Sequence, residues 1–510
     1  MPNRDSADTH PNGPGRPNNK PKTLRELLEL ASRSFDFHQF HPLEPDERVR
    51  LSYYSTRIIP EIVTRDLLPV LQSMAEAGQL AAYDELRARL PFAQIVMSED
   101  VSRIETMLED GFVLLQLQGD TEGGMLIQAH AASLGHRQHN DTENEFSVVG
   151  PKVGFVENLD VNVNLLRKMI SIPELVFEEL RIGSLSGTRV CFAYLDGITN
   201  PELINTVRQR LSDVDYEIVF DASLLDQLIS DNSNSPFPLF LTTERVDRVA
   251  YAVSSGQVAI FSNGSPYALT GPSTFLDFFI SPEDYYLPWL LGSFFRLIRL
   301  FSVAFSIFAS PLYVAILTFH YEVLPDSILG PLILSRINVP FPPVLEVIFL
   351  EVTIELLREA GARLPSKIGQ TLGIVGGIVI GQASVQAALS SNVLLIIVAL
   401  AALASFTTPI FKMANTIRFL RFPFILLAAF LGGFGIVIGC FFLLGHMLRL
   451  KSFGSPYLVP IFPFRRGNWS DSVIRASFQF TSKRPFFLRP LSTVRFNPAT
   501  PRKEPPDEEE

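Results

Sequence analysis

The apolar positions change rhythm near residue 281. From Phe35 to about Pro282, short apolar runs alternate with amphipathic stretches and with turns of Gly, Pro and Asn. That alternation predicts an α/β soluble N-terminal half. Beyond Ser281 the runs lengthen. Leu300 to Phe319, Leu372 to Leu389, Val393 to Phe411 and Phe422 to Leu448 each approach the roughly 20 apolar residues a helix needs to cross a bilayer. A fifth, Val344 to Leu357, is shorter and carries Glu346, Glu351 and Glu355. The pattern predicts an α-helical multi-pass membrane domain with four or five transmembrane helices.

The soluble half compares well with itself. Thr188 to Leu195 reads as a buried strand, Asp196-Gly197 as a turn, and Asn200-Pro201-Glu202 as a helix cap with Pro in the first turn. Arg48, Val49, Tyr53, Pro60 and Glu61 recur as Arg189, Val190, Tyr194, Pro201 and Glu202, a constant offset of 141. Glu99, Val101, Arg103, Gly111, Val113 and Gly119 recur as Glu244, Val246, Arg248, Gly256, Val258 and Gly264, an offset of 145. Two blocks in one order at nearly one offset mark an internal repeat.

The organisation expected is a disordered or short helical start (1–34), a first α/β module (35–149), a helical linker (150–172) and a second module (173–280). The membrane domain (281–450) and a basic, Pro-containing tail ending in an acidic run (451–510) follow. Residues 119–147 form a polar, exposed loop. Met1 to Pro21 has no apolar core, so it reads as neither signal peptide nor anchor, and the N-terminal domain is expected in the cytoplasm.

Tyr285, Tyr286 and Trp289 suit the headgroup layer as membrane-interface anchors at the start of the membrane half. Gly369, Gly373, Gly377 and Gly381 are four apart and share one helix face, which suits close packing within a bundle or an oligomer surface. Gln370, Gln382 and Gln386 add polar groups to that helix. Glu351, Glu355 and Arg358 lie on one face of their segment. Carboxylates at membrane depth usually mark an ion path, although a short helix near the headgroups would also hold them. Basic flanks do not settle orientation: five crossings would put the basic tail outside, and a re-entrant fifth stretch would move two basic loops out.

Composition narrows the chemistry. The net charge of -10 argues against nucleic acid. Cys191 and Cys440 are far apart and imply no disulfide framework. His130, His136 and His139 sit in the polar loop without a ligand pattern, so no metal site is expected. Gly373-Ile-Val-Gly-Gly377 lies in an apolar run without a preceding strand, which excludes a phosphate loop. No catalytic constellation and no cofactor site stand out, and the chain does not read as an enzyme.

Several long motifs carry a family resemblance: Gly150-Pro-Lys-Val-Gly-Phe-Val-Glu-Asn-Leu159, Tyr194-Leu-Asp-Gly-Ile-Thr-Asn-Pro-Glu-Leu203, Ser235-Pro-Phe-Pro238, Thr243-Glu-Arg-Val-Asp-Arg-Val249 and Ser281-Pro-Glu-Asp-Tyr-Tyr286. Glu355-Leu-Leu-Arg-Glu-Ala-Gly361, Leu364-Pro-Ser-Lys-Ile-Gly-Gln370 and Lys451-Ser-Phe-Gly-Ser-Pro-Tyr-Leu458 continue it. From about Val101 to Pro463 the chain resembles the GerA family of spore germination proteins. The resemblance implies the A subunit of a nutrient germinant receptor in the inner membrane of a spore. Such a subunit works with a transporter-like B subunit and a lipoprotein C subunit, as an oligomeric channel that releases cations. A secondary transporter, a non-conducting scaffold and a sporulation paralogue that amplifies germination remain alternatives. The Pro-rich start and the tail after Pro463 match no family feature.

Overall fold

The computed structural model describes residues 21–496, apart from 44–46, 79, 81, 93, 119, 130–144, 146–148, 364–376, 378–380 and 465–468. Most of the polar loop with its three histidines, Gly119, Gly369, Gly373, Gln370 and the acidic terminus lie outside the described residues.

The first module holds α1 (Leu24–Ala31), β1 (Phe37–Phe40), β2 (Val49–Tyr54), α2 (Leu68–Glu76), α3 (Tyr83–Arg89), β3 (Ile95–Ser98), α4 (Val101–Glu109), β4 (Phe112–Leu117) and β5 (Gly124–Gln128). The second holds α5 (Leu159–Met169), β6 (Leu175–Ile182), β7 (Thr188–Leu195), α6 (Pro201–Ser212), α7 (Ala222–Ile229), β8 (Leu241–Thr243), α8 (Val246–Ser254), β9 (Val258–Ser262) and β10 (Ala268–Gly271). Their sheets have the same order, β1-β2-β4-β5-β3 and β6-β7-β9-β10-β8, and every pairing is antiparallel. The repeated residues fall on matching elements: Gly111 follows α4 and Gly256 follows α8. Both have positive φ (84° and 100°), where a side chain would strain the turn into the next strand.

Each sheet is covered on both faces, which is why strands such as β4, β5, β7 and β9 are buried at successive positions. In the first, α2 and α3 bury Leu71, Met74 and Leu86 on one face, and α1 and α4 bury Leu27, Leu28, Ile104 and Leu108 on the other. In the second, α6 and α7 bury Val207, Leu211 and Leu225 on one face, while α5 and α8 bury Leu159, Val163, Leu166, Val249 and Val253 on the other. The stretch expected as a linker therefore contributes α5 to the second module, in the place that α1 takes in the first. Asn158 caps α5 by accepting from the Asp160 and Val161 amides, and Asn162 lies inside the helix. Cys191 is a buried, free core thiol as expected.

The C-terminal region is helical: α9 (Glu283–Tyr286), α10 (Trp289–Phe319), α11 (Asp326–Arg336), α12 (Pro343–Arg363), α13 (Asn392–Ser405) and α14 (Phe411–Arg449). Helices α10 and α14, of 31 and 39 residues, are long and apolar enough to cross a membrane, and α13 is a shorter apolar helix. Three expected boundaries differ. Helix α10 begins at Trp289 instead of Leu300, and Arg296 and Arg299 lie inside it with their guanidiniums paired. Helix α12 runs 21 residues, past its three glutamates. The run Phe422 to Leu448, expected as one crossing, reverses at Gly432 (φ 62°, ψ -143°) within α14. A Cβ on Gly439 would lie 2.7 Å from Phe424 Cε1, whereas a straight helix separates those residues by about 22 Å.

Contacts along the helices fix their directions. Thr416 Oγ1 donates to Pro236 O at 2.5 Å and His446 Nε2 lies 2.9 Å from Ser235 Oγ, so both ends of α14 touch one loop of the second module. Its turn packs on Phe319 and His320 at the far end of α10. Helices α12 and α13 run from that far end back toward the modules: Ser391 N donates to Glu346 beside Tyr313, while Arg358 donates to Ser405. The chain then forms a two-residue turn at Phe453-Gly454, both with positive φ, between Lys451–Ser452 and Ser455–Pro456. The Phe453 ring packs tilted against Phe240, 4.3 Å between centroids, inside the second module's core.

Candidate functional site

The carboxylates singled out in the sequence lie in a polar seam through the helical bundle. Glu351 and Arg421 are each 3% exposed and pair directly. Ser310 Oγ donates to Glu351 Oε1 at 2.6 Å. Arg421 spends its remaining donors on Ser306 O (2.8 Å), Ser306 Oγ (2.7 Å) and Ala401 O (3.3 Å). One ion pair thus ties α10, α12, α13 and α14. Charges in so apolar a setting persist only when paired and fully hydrogen-bonded, a condition this pair meets.

Toward the far end, Glu346 is buried, accepts from Ser391 N at 2.6 Å and faces Arg336 Nε at 3.3 Å. Toward the modules, Glu355 lies 3.4 Å from Arg358 and 3.5 Å from Arg418, and its side chain is 44% exposed. Arg358 also donates to Ser405 Oγ at 3.2 Å and stands 4.6 Å over the Phe406 ring. The structure therefore separates residues that shared a face in sequence: Glu351 is enclosed, and Glu355 with Arg358 lies at the rim. Gln382 and Gln386 are exposed one turn apart on a short helical stretch, residues 381–386. A Cβ on Gly377 would meet nothing within 4 Å, whereas one on Gly381 would lie 3.6 Å from Leu395 of α13.

The junction between modules and bundle is also charged and buried. Asp284 of α9 accepts from Arg296 Nε at 3.1 Å and from Arg299 Nη1 and Nη2 at 3.1 and 3.2 Å. Lys412, at the start of α14, donates to Asp226 of α7 at 2.5 Å. Arg248 of α8 donates to Asp277 O and Ile280 O at 3.2 and 2.9 Å. Of the three expected interface anchors, Trp289 (52% exposed) and Tyr286 (44%) face outward. Tyr285 instead turns inward, donating to Asp471 Oδ2 at 3.0 Å beneath the tail. Sequence reasoning missed this role of the tail. Arg475 donates to the Leu287 and Tyr285 carbonyls, and Leu491 N donates to Ile198 O at 2.9 Å.

The modules are joined by Arg167 of α5. Its Nε and Nη2 donate to Asp36 at 2.7 and 2.8 Å, and its Nη1 lies 3.5 Å from Glu109. Burial pushes the Asp36 carboxyl up, but the Arg167 charge and hydrogen bonds outweigh it and hold Asp36 below its ordinary value. Burial raises Glu109 to about 7 against the pull of Arg167. Among the described residues no group of three or more His, Cys, Asp or Glu could hold a metal.

Comparison with known proteins places these features. The family model for "Bacillus/Clostridium GerA spore germination protein" matches residues 22–487, which extends the expected resemblance at both ends and takes in most of the tail. The chain is 45% identical to spore germination protein GerQA of Bacillus cereus over 94% of its own length and 95% of that protein. It is 35% identical to spore germination protein B1 of Bacillus subtilis over 93% of its length and 96% of that protein. The crystal structure of the N-terminal domain of the A subunit of the Bacillus megaterium germinant receptor GerK3 aligns with 49% of this chain and 94% of that one, at 23% identity and a TM-score of 0.38. The chain belongs to the GerA family of spore germination proteins.

Proposed function

We propose that the chain is the A subunit of a spore nutrient germinant receptor, a multi-pass protein of the spore inner membrane that gates ion flow during germination. The observation that carries this is the junction. Asp284 with Arg296 and Arg299 fastens α9, and the segment leading out of the second module, to α10, and Asp226 with Lys412 fastens α7 to α14. Movement of the second module is thereby transmitted to the two longest apolar helices. A ligand shifts such an equilibrium only by its difference in affinity for the two states. A transporter-like B subunit that takes up the nutrient supplies that difference, and a lipoprotein C subunit completes the assembly.

In this reading Glu351 with Arg421 braces the bundle of one subunit. Glu355, Arg358, Gln382 and Gln386 form the face toward the ion path, with Gln370 expected beside them. Exposed glutamines on an apolar helix favour a wetted or subunit-facing surface over lipid. The stripe Gly369, Gly373, Gly377 and Gly381 supplies the close approach between neighbouring copies. Both modules and the tail lie on the cytoplasmic side.

The test is germinant-triggered ion release from spores whose only copy of this chain carries Glu355→Gln or Gln382→Leu. Altered rate or ion selectivity, with unchanged protein level, is expected. Wild-type release in both variants would remove this face from the path. Reconstituted protein that passes no ions with its partners present would favour a non-conducting scaffold, and full release from spores lacking the chain would overturn any role in gating.

A further inference from the structure

We propose that the cavity enclosed by the second module, the start of the helical region and the C-terminal tail binds a small amphipathic zwitterion: an ammonium and an oxyanion carried close together on an apolar body. The cavity has a volume of about 710 Å³, within the roughly 300–1,000 Å³ of small-molecule sites. Its walls come from three parts of the chain. Helix α8 and its C-cap give Arg248, Tyr251 and Ser255; residues 273–286 give Asp277 and Tyr285; the tail gives Asp471, Phe478, Phe480 and Arg495.

Most of its charged groups are already spent. Asp247 accepts from Arg245 and Tyr286, and Arg484 donates to the Ser254, Ser492 and Val494 carbonyls. Three buried atoms are left without a hydrogen bond: Asp471 Oδ1, Arg495 Nε and Arg248 Nη1. The nearest opposite charges are Arg296 Nη1, 3.8 Å from Asp471 Oδ1, and Glu145 Oε2, 3.6 Å from Arg248 Nη1. Neither distance satisfies a hydrogen bond.

The two signs of charge flank one ring. The Arg495 guanidinium carbon lies 4.6 Å from the Tyr251 ring centroid, and Tyr251 OH is 3.4 Å from Asp471 Oδ2. Burial raises both Asp277 and Asp471, and an arriving ammonium would offset that cost of holding charge there. A ligand with one charge would leave the opposite group unmatched, whereas a zwitterion answers both, and the phenylalanines take its apolar body. Two sources carry this chemistry: a free α-amino acid, and the phosphoethanolamine headgroup of a lipid at the level of the exposed Trp289. The inference does not depend on the receptor reading, since it concerns binding to this chain alone.

The experiment uses the full purified chain. In detergent, L-leucine and L-phenylalanine are titrated while thermal unfolding is followed; in nanodiscs, phosphatidylethanolamine is compared with phosphatidylglycerol. A saturable rise in the unfolding midpoint in either arm supports the proposal, and the arm that responds identifies the source. Asp471→Asn and Arg495→Gln are each expected to weaken binding at least about tenfold, with Arg495→Lys intermediate. Isoamylamine and isocaproic acid, which carry one charge each, should bind at least about tenfold more weakly than leucine. Phe480→Ala, at an exposed rim position, should weaken binding without altering unfolding of the unliganded chain. The proposal fails if neither arm responds, if the single-charge analogues bind as well as leucine, or if binding survives intact in Asp471→Asn and Arg495→Gln.

Discussion

Replacing Arg167 with Met tests whether one buried guanidinium holds the two modules together. Arg167 is fully buried, and three parts of its side chain are engaged at once. Its donors bond Asp36 and Ser34, its Nη1 faces Glu109, and its guanidinium carbon stands 4.1 Å from the Tyr54 centroid and 5.0 Å from that of Phe177. Met occupies most of the volume, so the cavity term is small. What remains is a carboxylate pair stripped of its cation, and removing one partner of a buried pair costs about 3–5 kcal/mol.

The pH dependence separates this cause from loss of packing. In the parent chain Asp36 is held below its ordinary value, so its contribution is present above that value and is lost as pH falls through the lower one. Without Arg167, burial acts on Asp36 against only the Ser34 and Thr56 hydrogen bonds, so its carboxyl moves up and its ionisation contributes less to folding. Glu109, already raised to about 7, binds protons more readily in the folded state, so its share of stability falls as pH rises from the ordinary carboxylate range through about 7. The deficit in Arg167→Met should therefore be largest near pH 7.5 and shrink toward pH 5. The assay is urea unfolding of the full chain in detergent, with hydrogen exchange read at β1 and β6. A deficit below about 0.5 kcal/mol, or one of constant size across this range, would refute the argument, since surface-like substitutions fall within that limit. Adding Asp36→Asn to Arg167→Met should recover part of the loss.

Three further predictions follow the helical region. Spin labels at the exposed positions Phe419 and Phe442 should lie within roughly 20 Å of one another, as packed legs 8–10 Å apart require; a straight α14 would hold them about 34 Å apart. Gly432→Ala should destabilise the bundle by about 1–3 kcal/mol, read as a lower unfolding midpoint, because its φ of 62° strains any side chain and the added Cβ would lie 2.9 Å from Phe319. Glu351→Gln leaves Arg421 buried without its carboxylate and should cost about 3–5 kcal/mol, while Glu351→Gln combined with Arg421→Met should recover most of it. Equal unfolding midpoints for single and double variants would remove the pair from the structural core.

The repeat was visible in sequence because it rests on residues that backbone geometry demands, such as Gly111 and Gly256, and on strands whose apolar runs are doubly covered. The partners of charged residues were not visible. Arg421 bonds a glutamate 70 positions away, yet at the edge of an apolar run it resembles a headgroup flank. Arg167 looks like the basic last turn of a capped helix; the signal that could have found it is Val163, four residues earlier on the buried stripe. The reversal in α14 was hidden because the apolar run continues through it, and only the pair Gly432-Gly433 marks the break. The tail's docking was also hidden, since Arg475 and Arg484 bond backbone carbonyls, which carry no sequence signature.

That reversal resolves the conflict in the charge pattern. Counted as one crossing, residues 422–448 would carry the basic tail to the side opposite Arg296, Arg299, Arg358 and Lys412. Folded back, the legs of α14 return the chain to its starting side, whatever number of crossings precedes them, because Thr416 and His446 touch the same loop at Ser235 and Pro236. Arg449 and Lys451 then join the other basic residues beside the modules, and Phe453 can enter the second module's core only from there. With α14 counted as two legs, these basic residues gather at one end of the bundle, the end that the proposed topology puts in the cytoplasm. The second module, the tail and the start of α10 then share one charged face, so in the proposed reading a displacement of the second module would act on the bundle from that end alone.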